Sequence, residues 1–358
     1  MGECLLVRRG GSVYKLPVLN ASYPQDVTLV ASANGSAVFS VQITEPGNPA
    51  EYTYKWYLSG NVISWATGSS VTISGLTAAQ TATVYCEVTN KAGTVTSRTA
   101  TLTVRDWKPV YSYTGNAQLI DDGNYNWRIK FLTSGTLRFT SLGNASTIDV
   151  FCVGGGGAGT HGQSDRGGGG GAGGYTKTSS GVSVALNTAI SVVIGAGGIN
   201  PSNNTGATGG TTRFGSAVSA AGGQSTLPVG TETESDGNGG SGGGMRGYYD
   251  TKDNTLKGGT NGGNAAYTWA QYGNRGIGQG TTTREFGESS GTLYSGGGSG
   301  ANRGEDTTAI AGGAGGGGTG GTGTAGGTNT GGGGGGYARP GGGGGNGGSG
   351  IVVIRNHR

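Results

Sequence analysis

Histidine, cysteine, proline and charged residues are all scarce in this chain, and each scarcity removes a class of protein. The two histidines are His161, in a glycine-flanked loop, and His357, at the terminus; neither has a carboxylate or nucleophile at a recognisable spacing. Acid–base or nucleophilic catalysis is therefore not expected, and the chain reads as a non-enzyme. Cys4, Cys86 and Cys152 are widely spaced without a CxxC pair, so neither a metal site nor a disulfide framework is expected. Eight prolines, with glycines in blocks and no G-X-Y period, exclude collagen. No apolar run approaches the roughly 18 residues that a spanning helix requires, which excludes helical membrane insertion. The net charge of +4 is spread as +2 over residues 1–24, −1 over 25–106, +1 over 107–153 and +2 over 154–358. Nothing there forms the basic stripe of a nucleic-acid binder. The opening MGECLLVRRGG has no apolar stretch long enough for a secretory signal and no Ser or Thr at position 6 to favour myristoylation. Folding in a cytoplasm, with free thiols, is the expectation.

What the chain has in excess is glycine. Of its 84 glycines, 71 fall between residues 154 and 350, about five times the average density. The blocks include Gly154–Gly157, Gly167–Gly171, Gly315–Gly318, Gly331–Gly336 and Gly341–Gly345. In such a background GxGxxG matches carry no information. None follows a strand and opens a helix, and no Walker lysine follows the glycines. Asp165, Asp236, Asp250, Asp253 and Asp306 fall at irregular positions, so a repeated calcium-binding nonapeptide is absent. A single Arg166-Gly167-Gly168 is too little for RNA binding. No cofactor and no metal are expected.

Two physical readings of the glycine blocks compete. A flexible linker is one, because glycine loses the most backbone entropy on ordering and offers no side chain in return. The other is a bundle of extended, polyproline-II-like glycine helices. Their backbone N–H and C=O groups, unbonded within each helix, would bond laterally to neighbours. Three features favour order: the blocks are short and recurrent, distinctive aromatic and polar segments separate them, and β-strands bracket them.

Around the blocks the sequence reads as all-β. Residues 1–24 form a short lead-in, read as an attachment segment; a disordered tail is the alternative. Residues 25–106 carry alternating β-formers at intervals of about ten residues: DVTLVAS, SAVFSVQI, YTYKWYL, SVTISGL, TVYCEVTN and TSRTATLTV. Residues 107–358 form the glycine-rich domain, with framing strands at about 128–153, 175–221 and 350–355. In STIDVFCV, Ile148, Val150 and Cys152 share one face, and Asp149 and Phe151 the other. The terminal Ile351, Val352, Val353 and Ile354 cannot be stable as an isolated strand. They must pair with strands laid down before the blocks, which makes the glycine-rich region an insertion closed at both ends.

Residues 25–106 resemble an immunoglobulin-like domain, with Trp56 at the strand C tryptophan and Cys86 at the strand F cysteine. The partner position falls near Phe39 or Val41 and Val84 replaces the tyrosine of the tyrosine corner, so the resemblance implies a domain without its bridge. Trp56 is read as a core residue and not a ligand contact. The pattern FCVGGGGAG…GGGGGAGGYTK…VVIGAGG…GGSGIVVIR, over roughly residues 130–358, resembles the glycine-rich domains of bacteriophage tail fibres and adhesins. More distantly it resembles the glycine-rich insertion of anaplastic-lymphoma-type receptor kinases. The resemblance implies an immunoglobulin-like sandwich followed by a β-sandwich with an inserted polyglycine-II helix bundle. It implies a virion tail protein, assembled in the host cytoplasm, that binds a receptor, a glycan or outer protein on the bacterial surface. A head or tail decoration protein giving weak generic adhesion is the alternative. A secreted structural glycine-rich protein is disfavoured by the missing signal, and homo-oligomerisation stays open.

Binding is expected in the segments between blocks, THGQSDR (160–166), MRGYYDTKDNTLK (245–257), NAAYTWAQYGNR (264–275) and TTTREFGESSGTLY (281–294), where otherwise scarce aromatics gather. Tyrosine and tryptophan supply stiff contact surface at low entropic cost. The candidate receptor-binding residues are Arg246, Tyr248, Tyr249, Asp250, Tyr267, Trp269, Tyr272 and Tyr294. Tyr248 and Tyr249, beside Arg246 and Asp250 in a charged loop, are expected to be exposed. For Trp269 and Phe286, binding and packing against the glycine scaffold weigh equally.

Overall fold

The computed structural model describes residues 6–9, 12–163, 166–200, 206–226, 237–247, 256–266, 275–303, 306–339 and 342–358. Among them the chain is all-β, with one 3-10 turn at Glu285–Gly287 and no α-helix. It divides into two compact units, Met1–Pro109 with Leu142–Asn144, and Val110–Ser141 with Ala145–Arg358.

The first unit contains β1 (Leu6–Arg9), β2 (Ser12–Lys15), β3 (Val18–Leu19), β4 (Val27–Val30), β5 (Ser36–Ser40), β6 (Ile43–Glu45), β7 (Thr53–Leu58), β8 (Asn61–Ile63), β9 (Ser70–Ser74), β10 (Gln80–Asn90), β11 (Gly93–Thr96) and β12 (Ala100–Arg105). Its main sheet runs β4-β12-β10-β7-β8, with β11 also on β10, and β5 pairs β9 separately. Strict alternation produces the core. Val84, Cys86 and Val88 of β10 point inward while the residues between them do not, as a half-buried strand requires. Trp56, paired in register with Cys86, is fully buried beside Phe39, Val71 and Leu102. Its indole N–H donates to the Gly68 carbonyl at 2.9 Å, satisfying the one polar atom it carries inward. Cys86 is a free thiol in this core, pushed up to about 12, chiefly by burial.

The second unit contains β13 (Val110–Tyr113), β14 (Ala117–Gly123), β15 (Asn126–Phe131), β16 (Gly135–Ser141), β17 (Ile148–Val153), β18 (Thr176–Val182), β19 (Ile190–Val193), β20 (Thr212–Phe214), β21 (Val218–Ala220) and β22 (Ile351–Asn356). Two five-stranded sheets, β13-β16-β19-β20-β21 and β14-β15-β22-β17-β18, pack face to face. Register places Trp127, Ile129 and Phe131 of β15, Val352 and Ile354 of β22, and Val150 and Cys152 of β17 on one face. These side chains are buried, as are Leu137, Phe139, Val192 and Phe214 of the other sheet. Cys152 is also free, and burial again pushes its thiol up to about 12. Cys4 lies outside the described residues.

Two strands of the second unit were not legible in advance. β13 and β14 are edge strands with one or no buried face, so YSY and AQLIDDG carry no hydrophobic period. The stretch 175–221 is not continuous framing either, because residues 195–200 and 206–210 leave the sheets and join the glycine segments. The terminal strand does pair with strands that precede the blocks. It lies between β15 and β17, antiparallel to both, in the middle of its sheet.

The glycine segments bond to one another chiefly through backbone, with a few Ser and Thr hydroxyls added. In residues 154–160 the N–H groups of Gly154, Gly157 and Thr160 donate to the carbonyls of Tyr175, Ala172 and Gly169. Those of Gly155 and Ala158 donate to Gly210 and Ala207, and those of Gly156 and Gly159 to Gly348 and Gly345. Every third residue thus turns to the same neighbour. Carbonyls complete the ring: Gly157 and Thr160 accept from Gly334 and Tyr337, Gly155 from Gly223, and Gly156 from Gly198. One segment so meets six others, at N···O distances near 2.9 Å.

The spacing leaves no room for side chains. A Cβ on Gly156, Gly171, Gly333 or Gly334 would overlap a carbonyl oxygen of a neighbouring segment, and backbone held by its own bonds cannot yield. A Cβ on Gly343 would meet nothing within 4 Å. Gly333→Ala should therefore destabilise the second unit by about 3 kcal/mol or more, while Gly343→Ala leaves its thermal midpoint within a degree or two. Equal midpoints in calorimetry would contradict this packing. Deleting residues 351–358 strips a partner from both β15 and β17, so soluble, protease-resistant protein should be lost. Unchanged resistance to limited proteolysis would count against closure of the glycine region by β22.

Candidate functional site

Of the four segments between glycine blocks, three have described flanks that meet at one end of the glycine region. Gly167 donates to Gly247, Gly247 to Ala301, and both Gly162 and Gly168 to Tyr337. Thr160 and Thr226 face each other through their hydroxyls at 3.2 Å. Ala266 donates to Lys257, which joins the flank of 264–275 to that of 245–257. Tyr248, Tyr249, Asp250, Tyr267, Trp269 and Tyr272 lie outside the described residues.

Arg246 is described, and it is not where the sequence suggested. Its side chain is only 3% exposed, so its guanidinium sits beneath the surface and does not reach outward for a ligand. Next to it Met245 packs with Leu256 and Ile310 in a small apolar cluster. The charge of Arg246, together with burial as the larger cause, holds the His161 imidazole below its usual value. His161 is thus neutral near pH 7. The far end of the glycine region therefore has a small core of its own.

The fourth segment, 281–294, lies on the outer face of the sheet that contains β22. There Phe286 and Tyr294 cover Phe151, Val153, Ile351 and Val353. The Phe151 ring lies 5.5 Å from that of Tyr294 and 5.9 Å from that of Phe286. Tyr294 is 3% exposed, which corrects the expectation that it binds a receptor. A sequence signal for this existed. IDVFCV and IVVIR are apolar on both faces, and a strand of that kind needs cover on both. One face meets the opposite sheet; the other requires this segment.

Charges fasten the segment. Glu285, 2% exposed, accepts from the Tyr294 hydroxyl at 2.5 Å and pairs with Lys130 at 3.0 Å and with Arg128. Arg128 also holds Asp122, at 2.8 Å. Burial pushes the Glu285 carboxyl up, but the Tyr294 hydroxyl, Lys130 and Arg128 together outweigh it and leave the group below its ordinary range. The Tyr294 phenol moves up, from burial first and from Glu285 second. A second buried acid, Asp149, accepts from Arg355 at 3.1 Å and from the Gly181 N–H at 3.1 Å, and lies 2.6 Å from His357 Nδ1. Burial raises that carboxyl as well, yet His357, Gly181 and Arg355 hold it below its usual value. Sequence reasoning missed this pairing because 208 residues separate Asp149 and His357. Both acids have their oxygens engaged by fixed partners, which suits anchoring. Among the described residues no group of three or more His, Cys, Asp and Glu side chains is placed to hold a metal.

A family model described as a glycine-rich domain matches residues 132–357. The chain belongs to that family. The match begins just past β15 and runs through β22, so it takes in β16 to β22 together with the glycine segments between them. A comparison with curated proteins finds no match.

The lowered Glu285 carboxyl sets the sign of an acid dependence. Its stabilising contribution is full above the unfolded value of about 4.3 and disappears as pH falls through the lower folded value. Glu285→Gln should cost on the order of 2 kcal/mol at pH 7, less than for a fully enclosed pair because Lys130 and Arg128 keep some solvent contact. It should also flatten the fall in stability between about pH 5 and pH 3. Denaturant unfolding across that range checks both; parallel curves for the two proteins would deny Glu285 this role.

Proposed function

We propose that this protein is a bacteriophage virion component, a tail fibre or tail-tip adhesin, and that it recognises a receptor on the bacterial surface. In this reading residues 25–106 are an immunoglobulin-like domain and residues 1–24 attach the chain to other virion proteins. The glycine segments are polyglycine-II helices. Three residues per turn, no internal hydrogen bonds and lateral bonding are the properties of such helices, and the period-three bonding of residues 154–160 to six neighbours supports the assignment. The buried, in-register Trp56 and Cys86 support the immunoglobulin-like reading.

The observation that carries the functional reading is the gathering of the flanks of 160–166, 245–257 and 264–275 at one end of a glycine scaffold with few side chains inside. A scaffold whose interior admits only glycine and a few small residues constrains its connecting segments little in composition. Rigid frames with free loops are where binding residues concentrate. The receptor-binding residues are Tyr248, Tyr249 and Asp250, with Tyr267, Trp269 and Tyr272 of the next segment along the chain, mixing aromatic faces with hydrogen-bonding groups suited to a surface glycan. Arg246 lies beneath the surface and biases the local charge. Tyr294 has no part in recognition.

Tyr248→Ala with Tyr249→Ala should cut adsorption of the virion, or of the purified protein, to host cells by at least about tenfold while the melting temperature stays within two degrees. Normal adsorption would turn the assignment toward a decoration protein with generic adhesion. A large drop in melting temperature would make these tyrosines structural and move the site toward Tyr267, Trp269 and Tyr272.

A further inference from the structure

The most exposed large apolar side chain among those described is Trp65, at 66%. Tryptophan is costly to leave in water and is a natural contact residue when it is left there. Trp65 stands on the rim of a groove of about 420 Å³, within the range of small-ligand sites. Leu58, Val62, Ile63 and Ile73 form its apolar lining, and Asn61, Ser64 and Ser74 its polar lining. The groove lies between two strands that lack a partner on one side, β8 at the end of its sheet and β9, which pairs with β5 alone.

Trp65 is exposed without being loose. Ile63 packs on the core and Ala66 is buried within it, so the indole projects from a turn anchored on both sides. The Ala66 N–H donates to the Ile63 carbonyl at 3.1 Å, closing that turn. Farther along, the Trp56 indole holds the Gly68 carbonyl, and the Val41 N–H holds the Ser69 carbonyl at 3.0 Å. A side chain fixed this way loses little entropy when it is covered. The polar lining is likewise unspent: the Asn61, Ser64 and Ser74 side chains are exposed and make no hydrogen bond to other described residues.

We propose that this groove is a second binding site, for a neutral, gluco-configured pyranose of a surface glycan, separate from the loops assigned to receptor recognition. The chemistry selects the ligand. No ionisable side chain lines the groove, so nothing in it compensates the charge of an acidic sugar. A pyranose with equatorial hydroxyls presents a flat C–H face to the Trp65 indole and a rim of hydroxyls to Asn61, Ser64 and Ser74. Those four residues satisfy both halves of such a ligand, whereas a purely apolar partner would leave the amide and two hydroxyls unpaired. The site is shallow, which sets its affinity in the millimolar range.

Titrating the full chain with triacetylchitotriose, followed by tryptophan fluorescence, tests the proposal. The wild type should show saturable quenching with a Kd of about 1–10 mM. Trp65→Ala should abolish it without changing the melting temperature, and Asn61→Ala should weaken it several-fold. Trigalacturonate, acidic and of equal length, should bind at least about tenfold more weakly. Absence of saturation in the wild type, or unaltered binding by Trp65→Ala, would overturn the assignment. The Tyr248→Ala, Tyr249→Ala protein should bind chitotriose as the wild type does, so this site and the loop reading fail independently.

Discussion

The glycine region of the second unit depends on backbone meeting backbone closer than a Cβ at most of its glycines would permit. Ordering a residue costs about 1–2 kcal/mol and glycine lies at the upper end, while one hydrogen bond contributes about 0.5–1.5 kcal/mol net. A single glycine segment therefore cannot hold itself. Surrounded by six others, with the N–H groups and most of the carbonyls of residues 154–160 paired across segments, it has a polar backbone that is satisfied without water. The arrangement is collective: each segment is ordered because its neighbours are.

Such an assembly needs its ends fixed, and the sandwich fixes them. The chain leaves β17 directly into the first block and returns from the last block directly into β22, its neighbour in the sheet. Outgoing and returning chains are thereby held one strand spacing apart. The outer face of these two strands cannot stay bare, and segment 281–294 covers it through Phe286, Tyr294 and the buried pairing of Glu285 with Lys130 and Arg128. One end of the glycine region is thus committed to stability, while the flanks of three connecting segments gather at the other.

Much of this was legible from local pattern. Period-two alternation identified six strands of residues 25–106 but not the short β6, β8 and β11, and the apolar terminal run IVVIR announced a strand needing partners elsewhere. Edge strands β13 and β14 were not legible, because a strand exposed on its faces has no hydrophobic period to detect. Tyr294 and Arg246 were misplaced for a related reason. An aromatic or a cation among glycines reads as a loop residue, and nothing local tells which glycine-rich stretch lies against a sheet. Trp65 went unnoticed, since reading Trp56 into the core says nothing of where the next tryptophan along the chain points.

By itself the sequence determined the composition of each layer: which residues alternate into a core, which stretch is dominated by glycine, and which short segments gather the aromatic and charged residues. Those are properties of single residues and their nearest neighbours along the chain. The tertiary structure alone decided which segment bonds to which, that Asp149 meets His357 and Glu285 meets Lys130, and that 281–294 is a cover rather than a contact loop. Glycine makes the division sharp. Lacking a side chain, it carries no pairing information, so the choice of neighbours falls to the strands and caps that hold the ends of each segment.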